Sequence, residues 1–261
     1  MAKSTHYYIR KSHRWLGLFL GIQFFLWTLG GLYFSWSSID EVHGDPLKKH
    51  APLIASNVNM VSPSVVLDNI RSIHRIDSIV SIQLIELLGS PYYQIRCISA
   101  LNPASKGHSM HDMTHLANAL TGKLRGPLNR EEAIKVAQSR FNGEGTVREV
   151  TYLTSTDAHH EYRENPLPAY AVSFEHPTRA TVYVSADLGT VQKYRNDQWR
   201  LFDLLWMLHT MDYQGRDNFG NILLRLCSIL GMVTILSGFV LFFISMKTSR
   251  SKKMKTIPKN E

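Results

Sequence analysis

Cysteine is scarce in this 261-residue chain. There are two, Cys97 and Cys227, and they form neither a CxxC nor a CxxCH pair. That argues against a zinc–thiolate centre, a cysteine-ligated iron–sulfur cluster, c-type haem attachment and a disulfide-dense scaffold. Signature motifs of several enzyme classes are missing too: no nucleophile elbow, P-loop, dinucleotide fingerprint or HExxH occurs. Acidic residues are absent from the first 14 positions, and charge of either sign is absent from two long stretches. Hydrophobic residues at 44% exclude a disordered or collagen-like chain, and the length suffices for one or two folded units with a real core.

The two uncharged stretches are Trp15–Trp36, WLGLFLGIQFFLWTLGGLYFSW, and Leu226–Met246, LCSILGMVTILSGFVLFFISM. A bilayer core takes about 20 helical residues at a rise of about 1.5 Å each. A buried core helix of such length carries a polar stripe, so both read as transmembrane helices. The first is longer than the apolar region of a signal peptide and no A-x-A site follows it, so an uncleaved anchor is expected. The mean hydropathy of −0.14 averages these spans with a polar remainder.

Charge gives the orientation. Residues 1–14 hold Lys3, Arg10, Lys11 and Arg14, and residues 247–261 hold six basic residues against Glu261. Residues 37–221 hold 18 Lys and Arg against 20 Asp and Glu. The positive-inside rule therefore predicts cytoplasmic termini and an external middle. The same distribution argues against nucleic-acid binding despite a pI near 9.5. The basic residues flank the spans and no stacking aromatics interleave with them. Weak attraction of the tails to anionic membrane lipid is the expected consequence.

The middle section repeats itself at an offset of 67 residues. Asn129-Arg-Glu-Glu132-Ala opens a helix, with Asn129 as N-cap and Glu132 as its capping-box partner. Ser62-Pro63-Ser-Val-Val does the same one offset earlier, with Pro63 at the first helical position. At the far ends, Ala119–Leu124 matches Ala186–Val191. Each unit reads as a helix and three strands: Pro63–Ile73 with strands near Ile79–Leu87, Tyr92–Ile98 and His115–Leu120, then Arg130–Phe141 with strands near Thr146–Leu153, Ala169–Glu175 and Thr181–Ala186. Gly122 and Gly189 mark a turn after the last strand, where a positive φ is often needed. The predicted organisation is a cytoplasmic segment 1–14, a span 15–36, an external domain 37–200 with units at about 62–125 and 129–195, an interfacial helix and loop 201–221, a second span 222–246 and a basic tail 247–261.

These features together resemble the PepSY-associated transmembrane family. The matching residues are His13-Arg-Trp-Leu-Gly17 at the head of the first span and Ile39-Asp-Glu-Val-His43-Gly44 just after it. The two helix–strand units come next, ending in Leu-Thr-Gly and Leu-Gly-Thr, and then Trp206-Met-Leu-His209-Thr-Met-Asp-Tyr213 before the second span. The resemblance covers most of the chain. It implies an α+β membrane protein in which two transmembrane helices flank a periplasmic domain of two tandem helix–three-strand, PepSY-like repeats. It also implies a place in the bacterial inner membrane. Some larger relatives bind b-type haem and reduce ferric siderophores, so the resemblance implies haem b, electron transfer and an iron–siderophore substrate. A membrane-anchored PepSY module that binds a periplasmic protein or restrains a protease is the non-enzymatic alternative.

Two histidines stand out. His13 shares a face of the first span with Gly17, Gly21, Thr28, Gly31 and Ser35, with Phe24 among them; Cys227, Gly231, Thr234, Gly238 and Ser245 share a face of the second. Such small-residue faces admit either another helix or a flat macrocycle. His209 lies with Phe202, Trp206 and Tyr213 on one face of a helix that is apolar on both sides, expected at the outer membrane interface. It is either an interfacial histidine bonded to a neighbour or, as the resemblance implies, an axial haem ligand. A membrane core of about 30 Å is expected between His13 and His209, so each needs another partner. That partner is the same histidine of a second chain, a partner membrane subunit, or His43 on the outside. Gln23 is expected to bond to its own helix. His108, His111 and His115, with Met110, Asp112 and Met113, read either as a polar loop between strands or as a site for copper, nickel or zinc.

Overall fold

The computed structural model describes residues 5–100 and 110–255. The chain forms two compact units, one of residues 38–200 and one that joins the N-terminal helix to residues 201 onward.

In the first unit the short helix α2 (Ile39–Val42) and a 3₁₀ turn (Asp45–Leu47) lead to α3 (Pro63–Arg71). Ser62 caps α3 by accepting from the Ser64 N–H, and Pro63 occupies the first turn, where no backbone donor is needed. Strands β1 (Ser78–Leu87), β2 (Ser90–Ala100), β3 (Met110–Asn118) and β4 (Leu124–Arg125) then form an antiparallel sheet in chain order. Helix α4 (Arg130–Arg140) comes next, with the full reciprocal capping box between Asn129 and Glu132. A second sheet in chain order is built from β5 (Val147–Leu153), β6 (Ala169–Phe174), β7 (Thr181–Ser185) and β8 (Val191–Arg195).

Each helix is therefore followed by four strands, where the sequence predicts three. The added strand comes from the glycine turn itself. Gly122 and Gly189 sit at φ +71° and +69°, conformations that favour glycine, and they reverse the chain onto the preceding strand. Leu124 then pairs with Ala117, and Lys193 with Tyr183. A second difference concerns β3. It starts at Met110, five residues before the predicted start at His115, so His111 lies on a strand rather than in a loop; His111 is opposite Ser99 and His115 opposite Ile95.

The two faces of the first sheet have different neighbours. Tyr93, Ile95 and Ala117 pack under Val66, Leu67 and Ile70 of α3. Leu87 and Leu116 join the larger core with Ala133, Val136 and Ala137 of α4 and Val172, Val182 and Val184 of the second sheet. This is the alternation of a pleated strand buried on both sides. Cys97 is buried in this unit and Cys227 in the other, and neither forms a disulfide.

The second unit contains α1 (Thr5–Trp36), α5 (Asp197–Thr210, from Leu201 on) and α6 (Ile222–Lys255). Tyr7–Trp36 and Ile222–Met246 are long and apolar enough to cross a membrane. Both helices run past the uncharged stretches: α1 includes Arg10, Lys11 and Arg14, and α6 continues through the basic residues to Lys255. Arg and Lys are good helix formers, and neither flank contains Gly or Pro to stop them. Leu20, Met211 and Cys227 form the buried centre of this unit, with Phe24, Trp27 and Leu224 around them.

Small residues on the two spans behave differently. At Gly231 an added Cβ would lie 2.9 Å from the Phe24 ring, and at Gly238 one would lie 3.3 Å from His13 Cε1. On α6, then, the missing side chains make room for rings of α1. Gly17, Gly21 and Gly31 of α1 have no heavy atom within 4 Å of such a Cβ.

Candidate functional site

Helix α5 is turned back along α1. Its Phe202 ring lies 4.8 Å from Phe34, and seven residues later the His209 ring lies 5.9 Å from Trp27. The Trp27 indole N–H donates to the His209 backbone oxygen at 2.9 Å, and the Gln23 amide donates to the Leu208 oxygen at 3.0 Å. These carbonyls belong to the last turn of α5, where the helix itself offers no donors. Gln23 thus serves α5 rather than its own helix. Trp27 precedes the end of α1 by nine residues, which places His209 about 14 Å along the axis from Trp36. The separation from His13 is about 21 Å of helix rise, shorter than a full membrane core.

The His209 imidazole stands among Trp27, Phe34 and Trp206, with ring centres 5.9, 6.0 and 6.4 Å away. Its Nδ1 is enclosed and has no hydrogen-bond partner. The turn after α5 is tightly held. Met211 takes a left-handed φ of +55°, and the Asp212 carboxylate accepts from the N–H groups of Gln214, Gly215 and Asn218. Those backbone donors, Asn218 first, hold the Asp212 carboxyl below the usual carboxylate range. Asp203 pairs with Arg216 across the same turn, with both side chains mostly buried. Asn221 donates to the Thr210 oxygen at 2.9 Å and accepts from the Leu224 N–H at 2.8 Å, joining the end of α5 to the start of α6.

His13 faces α6. Its Nδ1 lies 2.7 Å from the Ser237 hydroxyl. The position a Gly238 Cβ would take is 3.9 Å from its Nε2. Ser237 was not singled out by the sequence, since its role depends on the register between two helices.

The family model of the PepSY-associated TM region matches residues 10–260. The chain belongs to that family. No match was found among curated proteins or among solved structures.

In this PepSY-associated membrane protein the two histidines have different surroundings. His209 offers an enclosed ring nitrogen without a partner inside an aromatic cage. His13 has one nitrogen oriented by a hydroxyl, as metal-binding histidines commonly do, and faces a helix surface where a Cβ is missing. His43 is the C-cap of α2, exposed, in the unit of residues 38–200.

The other histidines of the PepSY-associated chain fall into different settings. His108 lies outside the described residues, and for His111 the strand position opposite Ser99 is what is described. His115 lies against His74, which the sequence did not single out, with ring centres 5.3 Å apart. Burial, and then His74 beside it, push the His115 imidazole below its usual pKa. Its Nε2 is enclosed without a hydrogen-bond partner. Among the described residues, no three His, Cys, Asp or Glu side chains come together as a metal site.

Proposed function

We propose that this protein binds b-type haem at membrane depth and passes electrons across the bacterial inner membrane to reduce a ferric siderophore or a similar iron compound. The observation that carries the reading is the placement of the His209 imidazole within the ring cage of Trp27, Phe34 and Trp206. Imidazole is a common protein ligand of haem iron, and aromatic side chains beside it suit the flat faces of a porphyrin.

Haem supplies a one-electron iron couple; the chain's own residues do the positioning. His209 would hold the haem iron. Its backbone is fixed by the Trp27 indole, and its ring plane is set by Trp206, which stacks within 14° of it. His13 would be the ligand on the inner side, with its ring turned by Ser237. Bis-histidine ligation needs two imidazoles per iron, and each level of the membrane unit offers one. A homodimer, or a partner membrane subunit, therefore belongs to the proposal. The basic residues at the start of α1 and at the end of α6 favour cytoplasmic termini and a periplasmic domain of tandem PepSY repeats.

An absorption spectrum tests it. Protein purified from haem-replete cells should show a reducible Soret band. His209→Ala should remove one spectral component and His13→Ala another, while His111→Ala leaves both. A colourless wild-type protein, or spectra unchanged by both membrane substitutions, overturns the assignment.

A second reading has its own support. A polar cleft of about 550 Å³, walled by Gln83, Gln94, Arg96, Thr114, Asp187 and Gln192 among others, suits an extended polar segment. It favours a PepSY module that binds a periplasmic protein. A colourless protein would leave this reading standing.

A further inference from the structure

The face of the first sheet under α3 is apolar at one end and changes character towards the other. Tyr93, Ile95 and Ala117 cover the α3 end. Further along β3, in steps of two residues, come His115 and Met113, on the same face as Ala117 because strand side chains alternate. Cys97 directly opposes Met113 in the register, and so shares that face. The chain leaving α3 passes over this end: the His74 N–H donates to the Ile70 oxygen, and the His74 ring comes to rest 5.3 Å from that of His115, tilted by 30°.

Three observations on this end need one explanation. His115 Nε2 is enclosed and has no hydrogen-bond partner, and buried polar atoms without partners are rare. Two imidazoles are brought together by residues 41 positions apart in sequence. Among the described residues, the donor types on this face are imidazole and thioether, with the Cys97 thiol opposite Met113.

We propose that His74, His115 and Met113 form a binding site for monovalent copper. Imidazole suits copper, and a neutral thioether selects the monovalent ion over zinc, calcium or magnesium. The ring spacing agrees. With metal–nitrogen bonds of about 2.0 Å, two imidazoles on a three-coordinate ion place their centres about 5.4 Å apart. Met113 is the third donor, one strand step of two residues from His115. His74 is exposed, which gives an ion a path from solvent to the enclosed nitrogen of its neighbour. The site lies wholly within residues 38–200 and is independent of any haem bound by the membrane helices.

The test uses the full-length untagged protein in detergent, stripped of metal, titrated with monovalent copper against a chromogenic chelator under reducing conditions. The wild type should take up one copper ion, and X-ray absorption should report nitrogen and sulfur neighbours. His74→Ala removes an exposed ring, and Met113→Leu replaces a thioether with an isosteric alkyl. Each should weaken copper at least tenfold, with circular dichroism and melting point unchanged. Zinc should compete poorly. Wild-type protein that leaves all copper with the chelator overturns the proposal. So does copper uptake that both variants leave unchanged, which would place the ion elsewhere. Preference for zinc over copper would also overturn it.

Discussion

The indole N–H of Trp27 donates to the backbone oxygen of His209 at 2.9 Å, and one turn earlier on α1 the Gln23 amide does the same for Leu208. Two side chains of an apolar helix thus cap the C-terminal turn of another. Helix C-termini leave their last carbonyls without internal donors, and in a setting with little water those groups need a partner. The caps fix the height and rotation of α5 on α1, and with them the position of the His209 ring.

Trp27→Phe keeps most of the ring contact with His209 and Phe24 but removes the donor. The expected loss is about 1–2 kcal/mol of stability, the usual cost of stranding a buried acceptor. Thermal unfolding in detergent measures it. An unchanged midpoint would mean that this carbonyl finds water and that the cap is not structural.

Glycines on the two spans should respond differently to the same methyl group. Gly231→Ala places a Cβ 2.9 Å from the Phe24 ring, so the helices must part or the ring must move, at about 1–3 kcal/mol. Gly17→Ala meets nothing within 4 Å and should be neutral or raise helix stability by up to about 1 kcal/mol. Comparing the two melting points checks the packing: equal midpoints would contradict it.

The parts of the fold legible in the sequence were mostly local. The Asn129–Glu132 capping box and the Ser62-Pro63 start each depend on a few neighbouring residues, and both form as expected. The two uncharged spans were equally plain. The fourth strands were not. Leu124–Arg125 is two residues long, and Val191-Gln-Lys-Tyr-Arg195 mixes polar and apolar residues without a strong period. Their pairing is imposed by the glycine turns and the neighbouring strand rather than by their own composition. At the candidate site, His13 and His209 stood out through their surroundings. Their partners did not, because Ser237 lies 224 positions from His13, and His74 meets His115 through tertiary packing that no short motif records.

The turn after α5 gives a pH dependence with a definite sign. Backbone donors from Asn218, Gly215 and Gln214 hold the Asp212 carboxyl below its ordinary value. A depressed carboxyl stabilises the fold fully above its unfolded pKa, about 3.9, and the contribution disappears as pH falls through the lower folded value. The wild type should therefore lose stability below about pH 4 more steeply than Asp212→Asn, which cannot titrate. Melting points from pH 3 to pH 6 test this. Parallel curves for the two proteins would show that Asp212 is not linked to folding.

The two turn glycines share a backbone conformation but not an environment, and this separates strain from crowding. Gly122 and Gly189 lie at φ +71° and +69°, where any side chain costs about 1–2 kcal/mol. At Gly122 a Cβ would sit 3.5 Å from Val61 and Val65, an ordinary contact. At Gly189 it would sit 3.0 Å from Leu116 Cδ1 and 3.2 Å from Leu87 Cδ2, both in the main core. Gly122→Ala should therefore cost about 1–2 kcal/mol. Gly189→Ala should cost that and about 1–3 kcal/mol more, as the two leucines are forced off their packing. Chemical unfolding of both variants measures the difference. If Gly189→Ala is no worse than Gly122→Ala, the leucines yield freely and this part of the core is loosely packed. If the gap appears, shortening Leu116 to Val in the Gly189→Ala background should recover part of it, because the methyl nearest the new Cβ is then pulled back.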